Sequence, residues 1–153
     1  MTPGSRWRTA FAVCRLLPWF LALGALKRLV SVPTLARWSW RQPRGHRADD
    51  PHLVASIASC VLRTGTIAGV PDRDCLQRSL LLYRELSAAG LRPELAVGFQ
   101  RVNGTLSGHA WVTVAGVVVA EPELDESSFE PMMRFGESGA PIPAARVVSA
   151  PSR

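Results

Sequence analysis

Asp74-Cys75-Leu76-Gln77-Arg78-Ser79-Leu80-Leu81-Leu82-Tyr83, followed downstream by Gly108-His109-Ala110-Trp111-Val112-Thr113-Val114, decides the reading of this chain. In the first stretch and just beyond it, Leu76, Leu80, Tyr83 and Leu86 recur at helical spacing. Gly90 stands where a helix C-terminus takes glycine, and Pro93 prevents the helix from resuming. Asp74 is a suitable N-cap, which puts Cys75 at the first helical position. After Pro93 the period changes to two. Leu95, Val97 and Phe99 alternate with other residues, Asn103-Gly104 marks a turn, His109 to Val114 reads as a second strand and Val117 to Glu121 as a third. A helix followed by an antiparallel meander predicts an α+β fold.

The position of Cys75 gives it chemistry. Unpaired N–H groups and the helix dipole favour negative charge at a helix start, so a thiol there is drawn toward thiolate. A histidine on a facing strand can hold or take the proton, which is the minimum apparatus for covalent catalysis by cysteine. His109 is the candidate, because an apolar strand follows it and can anchor its ring; His46 and His52 fall in or beside a polar connector. Cys14 and Cys60 lie inside apolar helical runs and read as buried packing.

A third group should orient the imidazole, and Glu121 at the end of the next strand is the first choice, with Asp125 as the fallback. The outcome depends on the hairpin register. A two-residue turn at Ala115-Gly116 pairs Val114 with Val117 and sends His109 and Glu121 to opposite faces. A three-residue turn pairs Thr113 with Val117, sets His109 opposite Glu121 and uses Gly116 as the left-handed residue of a bulged hairpin. The second register is the expectation. Gln77 either lines the site or faces solvent, and Trp111 reads first as core packing, with a substrate-contacting wall as the alternative.

The chain has 153 residues, enough for one domain with a real core. Its net charge of +6 is scattered along the chain and accompanies no nucleic-acid motif, so no nucleic-acid partner is expected. Three dispersed cysteines form neither a disulfide framework nor a structural metal site; no cofactor and no metal are expected, and a cytoplasmic setting follows. Residues 8–32 read as one or two helices, bent at Pro18, with a break at Ser31 to Thr34. The apolar run there is interrupted by Arg15 and Pro18, and Leu16 to Leu26 is too short to span a bilayer. It is expected to pack on the catalytic body, with peripheral membrane contact through residues 8–32 as the alternative. Residues 1–50 thus form a helical segment and polar connector, 51–135 the core, and 136–153 an irregular tail. A helix capped by Asp50, with Pro51 at its first position, opens the core and ends near Gly65 and Gly69.

The block Cys75-Leu76-Gln77-Arg78-Ser79-Leu80-Leu81-Leu82, combined with Gly108-His109-Ala110-Trp111-Val112 and a strand ending in Glu121-Pro122, resembles the lasso-peptide leader peptidases. These are small transglutaminase-like cysteine proteases, and the resemblance covers about residues 50–135. It implies a papain/transglutaminase-like fold with Cys75 as nucleophile, His109 as general base and acid, and Glu121 as orienting acid, where the family most often has aspartate. It also implies a substrate, the leader of a ribosomally made precursor peptide, removed before a cyclase closes the macrolactam. No leader-recognition domain is evident in residues 1–50. The resemblance therefore implies a split system with a separate recognition protein, and a lasso cyclase as a further partner. The rival readings are a transglutaminase-like acyl transferase and a non-catalytic, membrane-associated scaffold.

Overall fold

The computed structural model describes residues 3–43, 50–69 and 74–143. The middle of the polar connector, including His46, and the tail beyond 143 lie outside the described residues. Four helices, α1 (Pro3–Leu26), α2 (Val32–Ser39), α3 (Pro51–Ile67) and α4 (Cys75–Ala88), precede four strands, β1 (Pro93–Val102), β2 (Thr105–Val114), β3 (Val117–Val119) and β4 (Glu130–Phe135). The strands form one antiparallel sheet in the order β3-β2-β1-β4. The architecture is α+β, as the change of period at Pro93 predicts.

Strand alternation divides the core into two layers. Leu95, Val112 and Val114 face the helices and join Phe20, Leu23, Leu35, Leu80, Leu81 and Leu86 in the main cluster. Ala96 and Trp111, paired across β1 and β2, point to the other face. There Phe129, with Leu124, covers them. Both residues belong to the connection from β3 to β4, which crosses from one edge of the sheet to the other.

The N-terminal helix is part of this body. Gln77 is buried and its amide donates to the Phe20 carbonyl at 2.7 Å. The two helices cross closely enough that a Cβ on Gly24 would lie 2.9 Å from the Gln77 side-chain nitrogen. Arg15 pairs with Glu85, Lys27 pairs with Asp74, and the Arg84 guanidinium lies 3.9 Å over the Trp19 ring. Among the described residues no helix is long and apolar enough to cross a membrane.

Several local expectations are corrected. Of the one or two helices expected over 8–32, one forms with Pro18 inside it and ends at Leu26; the break comes before Ser31, and Ser31 to Thr34 start α2, because Pro33 falls in a first turn that tolerates proline. Asp50 caps α3 as expected, accepting from His52 and Leu53 N–H, but the helix runs through Gly65 to Ile67. Gln77 neither lines the site nor meets solvent. Cys14 is exposed and Cys60 is half-buried against the main cluster. Strand β4 was not expected; the pattern of Glu130-Pro131-Met132-Met133 is obscured because most of it is exposed. Residues 136–143 are held by buried Tyr83, which donates to the Gly136 carbonyl and accepts from Gly139 N–H at 3.2 Å.

Candidate active site

Cys75 is the first residue of α4, and Asp74 precedes it without a side-chain capping bond. The Asp74 carboxylate is committed to Lys27 from the end of α1. The thiol is half-buried. Burial pushes it up, but a hydrogen bond with the His109 ring, N–H donors from Ala110 and Leu76, and the His109 charge outweigh burial and hold it below the ordinary thiol range. The contact with Ala110 follows from packing. Ser79, one turn along α4, donates to the Ala110 carbonyl at 2.8 Å and fixes the helix start beside β2.

His109 Nε2 lies 2.6 Å from Glu121 Oε2, leaving Nδ1 as the ring nitrogen for the thiol. The hydrogen bond to Cys75 and then that to Glu121 push the ring up to about 9, with burial opposing and the charges of Glu121 and Cys75 adding. Thiolate and imidazolium therefore stabilise one another. The ring is also held sterically: it stacks on Trp111 with centroids 6.3 Å apart and planes inclined by 14°, and meets Phe129 at 5.4 Å. Trp111 is buried, as expected for a packing residue, and donates from its indole to Glu126 at 3.1 Å.

The expected three-residue turn is wrong, yet Glu121 reaches His109. Val114 pairs with Val117 and Val112 with Val119, so the turn is the two-residue Ala115-Gly116. Both residues have positive φ (50° and 78°), the conformation of the tight hairpin turn that follows sheet twist. Had β3 continued in this register, Glu121 would share the face of Ala110, opposite to His109. It does not continue. Ala120 has φ 71°, a left-handed residue that ends the strand and turns the chain onto the face carrying His109 and Trp111. Glu121 is the first residue after that reversal. Alanine carries no signal for such a bend, so the strand stops short of the end that its alternation suggests.

Asp125, the fallback acid, is exposed and turned away: it caps a short 3-10 turn at Glu126–Ser128, accepting from Ser127 N–H and Oγ. The sequence reading missed a neighbour of the site. Arg78, on α4, places a guanidinium nitrogen 4.0 Å from Glu121 Oε1, the oxygen that His109 does not use. Its i+3 spacing from Cys75 was legible; its proximity to Glu121 depends on the bend at Ala120. Among the described residues, no cluster of three or more His, Cys, Asp or Glu side chains is arranged to hold a metal.

A half-buried ring clamped between a carboxylate and a thiol at a helix start can carry out nucleophilic acyl chemistry. A family model described as the transglutaminase-like superfamily matches residues 13–134, which extends from α1 into β4. No curated protein and no solved structure matches the chain.

Proposed function

The chain belongs to the transglutaminase-like superfamily, and from that premise we propose that it is a cysteine peptidase that removes the leader from a lasso precursor peptide. The observation that carries the proposal is the continuous Cys75–His109–Glu121 arrangement, with the 2.6 Å contact at its acid end. Membership of the superfamily supports acyl chemistry at cysteine, by hydrolysis or transfer. The choice of a peptide leader as substrate rests on the sequence resemblance around Cys75 and His109.

In the proposed reaction the Cys75 thiolate attacks the scissile carbonyl and forms a tetrahedral oxyanion. In this reading, N–H groups at the start of α4 stabilise it. Collapse breaks the C–N bond as His109 protonates the leaving amine, which frees the N-terminus of the core peptide. Water, deprotonated by His109, then hydrolyses the thioester and releases the leader as a carboxylate. Glu121 keeps the ring oriented and favours its charged form through both halves. A separate recognition protein delivers the leader, and a cyclase consumes the freed amine.

The test is incubation with precursor and recognition protein in water enriched in oxygen-18, read by mass spectrometry. The proposal expects the released leader to carry one heavy oxygen in its new carboxylate. A leader recovered as an amide of an added amine would make the enzyme an acyl transferase. An uncleaved precursor, in a mixture where another leader peptidase cleaves it, would count against the proposal.

A further inference from the structure

We infer that the edge of β2 beyond the end of β3, at Leu106 and Gly108, binds the main chain of an extended peptide and aligns it beside Cys75. The inference rests on the reading of Cys75 as the nucleophile and adds how a peptide is held there. It follows from the ladder. β1 pairs with the whole of β2, from Thr105 to Val114, whereas β3 pairs only with Val112, Thr113 and Val114. On the β3 side, residues 105–111 therefore have no strand neighbour among the described residues.

The two turns fix which backbone groups face that side. Residues flanking a two-residue turn form a hydrogen-bonded pair, and such pairs alternate along an antiparallel ladder. Val102 pairs with Thr105 across Asn103-Gly104, so the groups of Thr105, Ser107, His109, Trp111 and Thr113 point to β1. Val114 pairs with Val117 across Ala115-Gly116, so those of Leu106, Gly108, Ala110, Val112 and Val114 point the other way. Both turns give the same parity.

The lane on this edge is filled in sequence. β3 occupies it opposite Val112 and Val114. The start of α4 occupies it opposite Ala110, whose carbonyl accepts from Ser79 and whose N–H donates to Cys75. Next come Gly108 and Leu106, both exposed, Leu106 at 61%. Their N–H and C=O groups form an open length of ladder immediately past the nucleophile. An extended peptide satisfies such an edge whatever its side chains, because main-chain groups provide the binding. The lane ends at the thiol, so a chain seated in it brings a carbonyl to the sulfur. Its occupant is thus the substrate's own backbone.

The test compares two reagents on the full-length protein. Iodoacetamide reads thiol reactivity alone. Tetra-alanyl chloromethyl ketone reads reactivity plus main-chain binding, and is made in a series with each amide in turn replaced by an ester, which removes one N–H and preserves shape. If the edge binds the peptide, Cys75 reacts with the tetra-alanyl reagent faster than a simple chloromethyl ketone predicts. Esters at alternate positions then slow it about 3- to 10-fold each, and those between have no effect. Equal rates across the ester series, or a uniform decrease, overturn the edge proposal while rapid iodoacetamide labelling leaves the nucleophile assignment standing. Slow iodoacetamide labelling of Cys75, no faster than that of Cys14 and Cys60, overturns both.

Discussion

Replacing Glu121 by glutamine keeps the size of the side chain and removes its charge, which isolates what the carboxylate does for His109. The His109 ring rises from 6.5 to about 9 in the folded protein. That corresponds to at most about 3 kcal/mol of preference for the charged ring, and solvent at the partly exposed pair reduces it. Cys75 is the larger contributor and Glu121 the second, so loss of the Glu121 charge should remove about 1–2 kcal/mol. The ring would then titrate below its wild-type value of about 9. The sign follows from the direction of the shift. A group with a raised folded-state value stabilises fully below its unfolded value, and that stabilisation is lost as pH rises through the folded one. The His109 contribution is thus complete below about 6.5 and gone above about 9. Two-dimensional NMR of the imidazole ring, assigned with a His109→Gln variant, reads the titration directly, and denaturant unfolding at pH 6 and pH 10 reads the linked stability. A wild-type ring that titrates near 6.5, or a value unmoved by Glu121→Gln, would refute the reasoning.

Cys75 should be alkylated by iodoacetamide much faster than Cys14 or Cys60 below pH 7, because a histidine and two backbone donors hold its thiol down against burial; peptide mapping after a timed pulse checks this. Ala120→Val should cost about 1–2 kcal/mol in denaturant unfolding, since a β-branched residue resists the left-handed conformation, and it should lower leader removal by misdirecting Glu121. Ala120→Gly should retain both stability and activity, and equal behaviour of the two variants would argue against the bend. Gln77→Ala removes the amide that joins α4 to the Phe20 carbonyl and leaves a gap where a buried side chain packed between the two helices. A loss of about 2–3 kcal/mol is expected in chemical unfolding, and a change within experimental error would mean that α1 docks independently of this bond.

The legible parts of the sequence are those where local pattern and tertiary demand agree. The 3.6-residue period of α4 and the alternation in β1 and β2 mark elements that bury one face each, so Cys75 and His109 could be located at the start of a helix and on a strand. Asp50-Pro51 signalled the start of α3 through capping chemistry that needs no tertiary partner. Glu121 was selected correctly as the neighbour of His109 but through a register that the turn does not adopt. The bend at Ala120 comes from the chain's path across the outer face of the sheet, and nothing in an alanine announces it. Gln77 was misread, and Asp74 stands at the N-cap position without the expected side-chain bond, for a related reason. Their partners, the Phe20 carbonyl and Lys27, lie in α1 and one residue past its end, and no local periodicity states that α1 crosses the start of α4. Strand β4 hides because it is an edge strand with mostly exposed residues and a proline, so its pattern is weak.

The central claim is that the thiol of Cys75 forms the bond that cleaves the leader. The direct measurement is leader removal by Cys75→Ala, with precursor and recognition protein present and products resolved by mass spectrometry. The account predicts a folded variant, matching the wild type in circular dichroism, that yields no released leader at any time at which the wild type has finished. Free leader and core peptide accumulating in the Cys75→Ala reaction would contradict it.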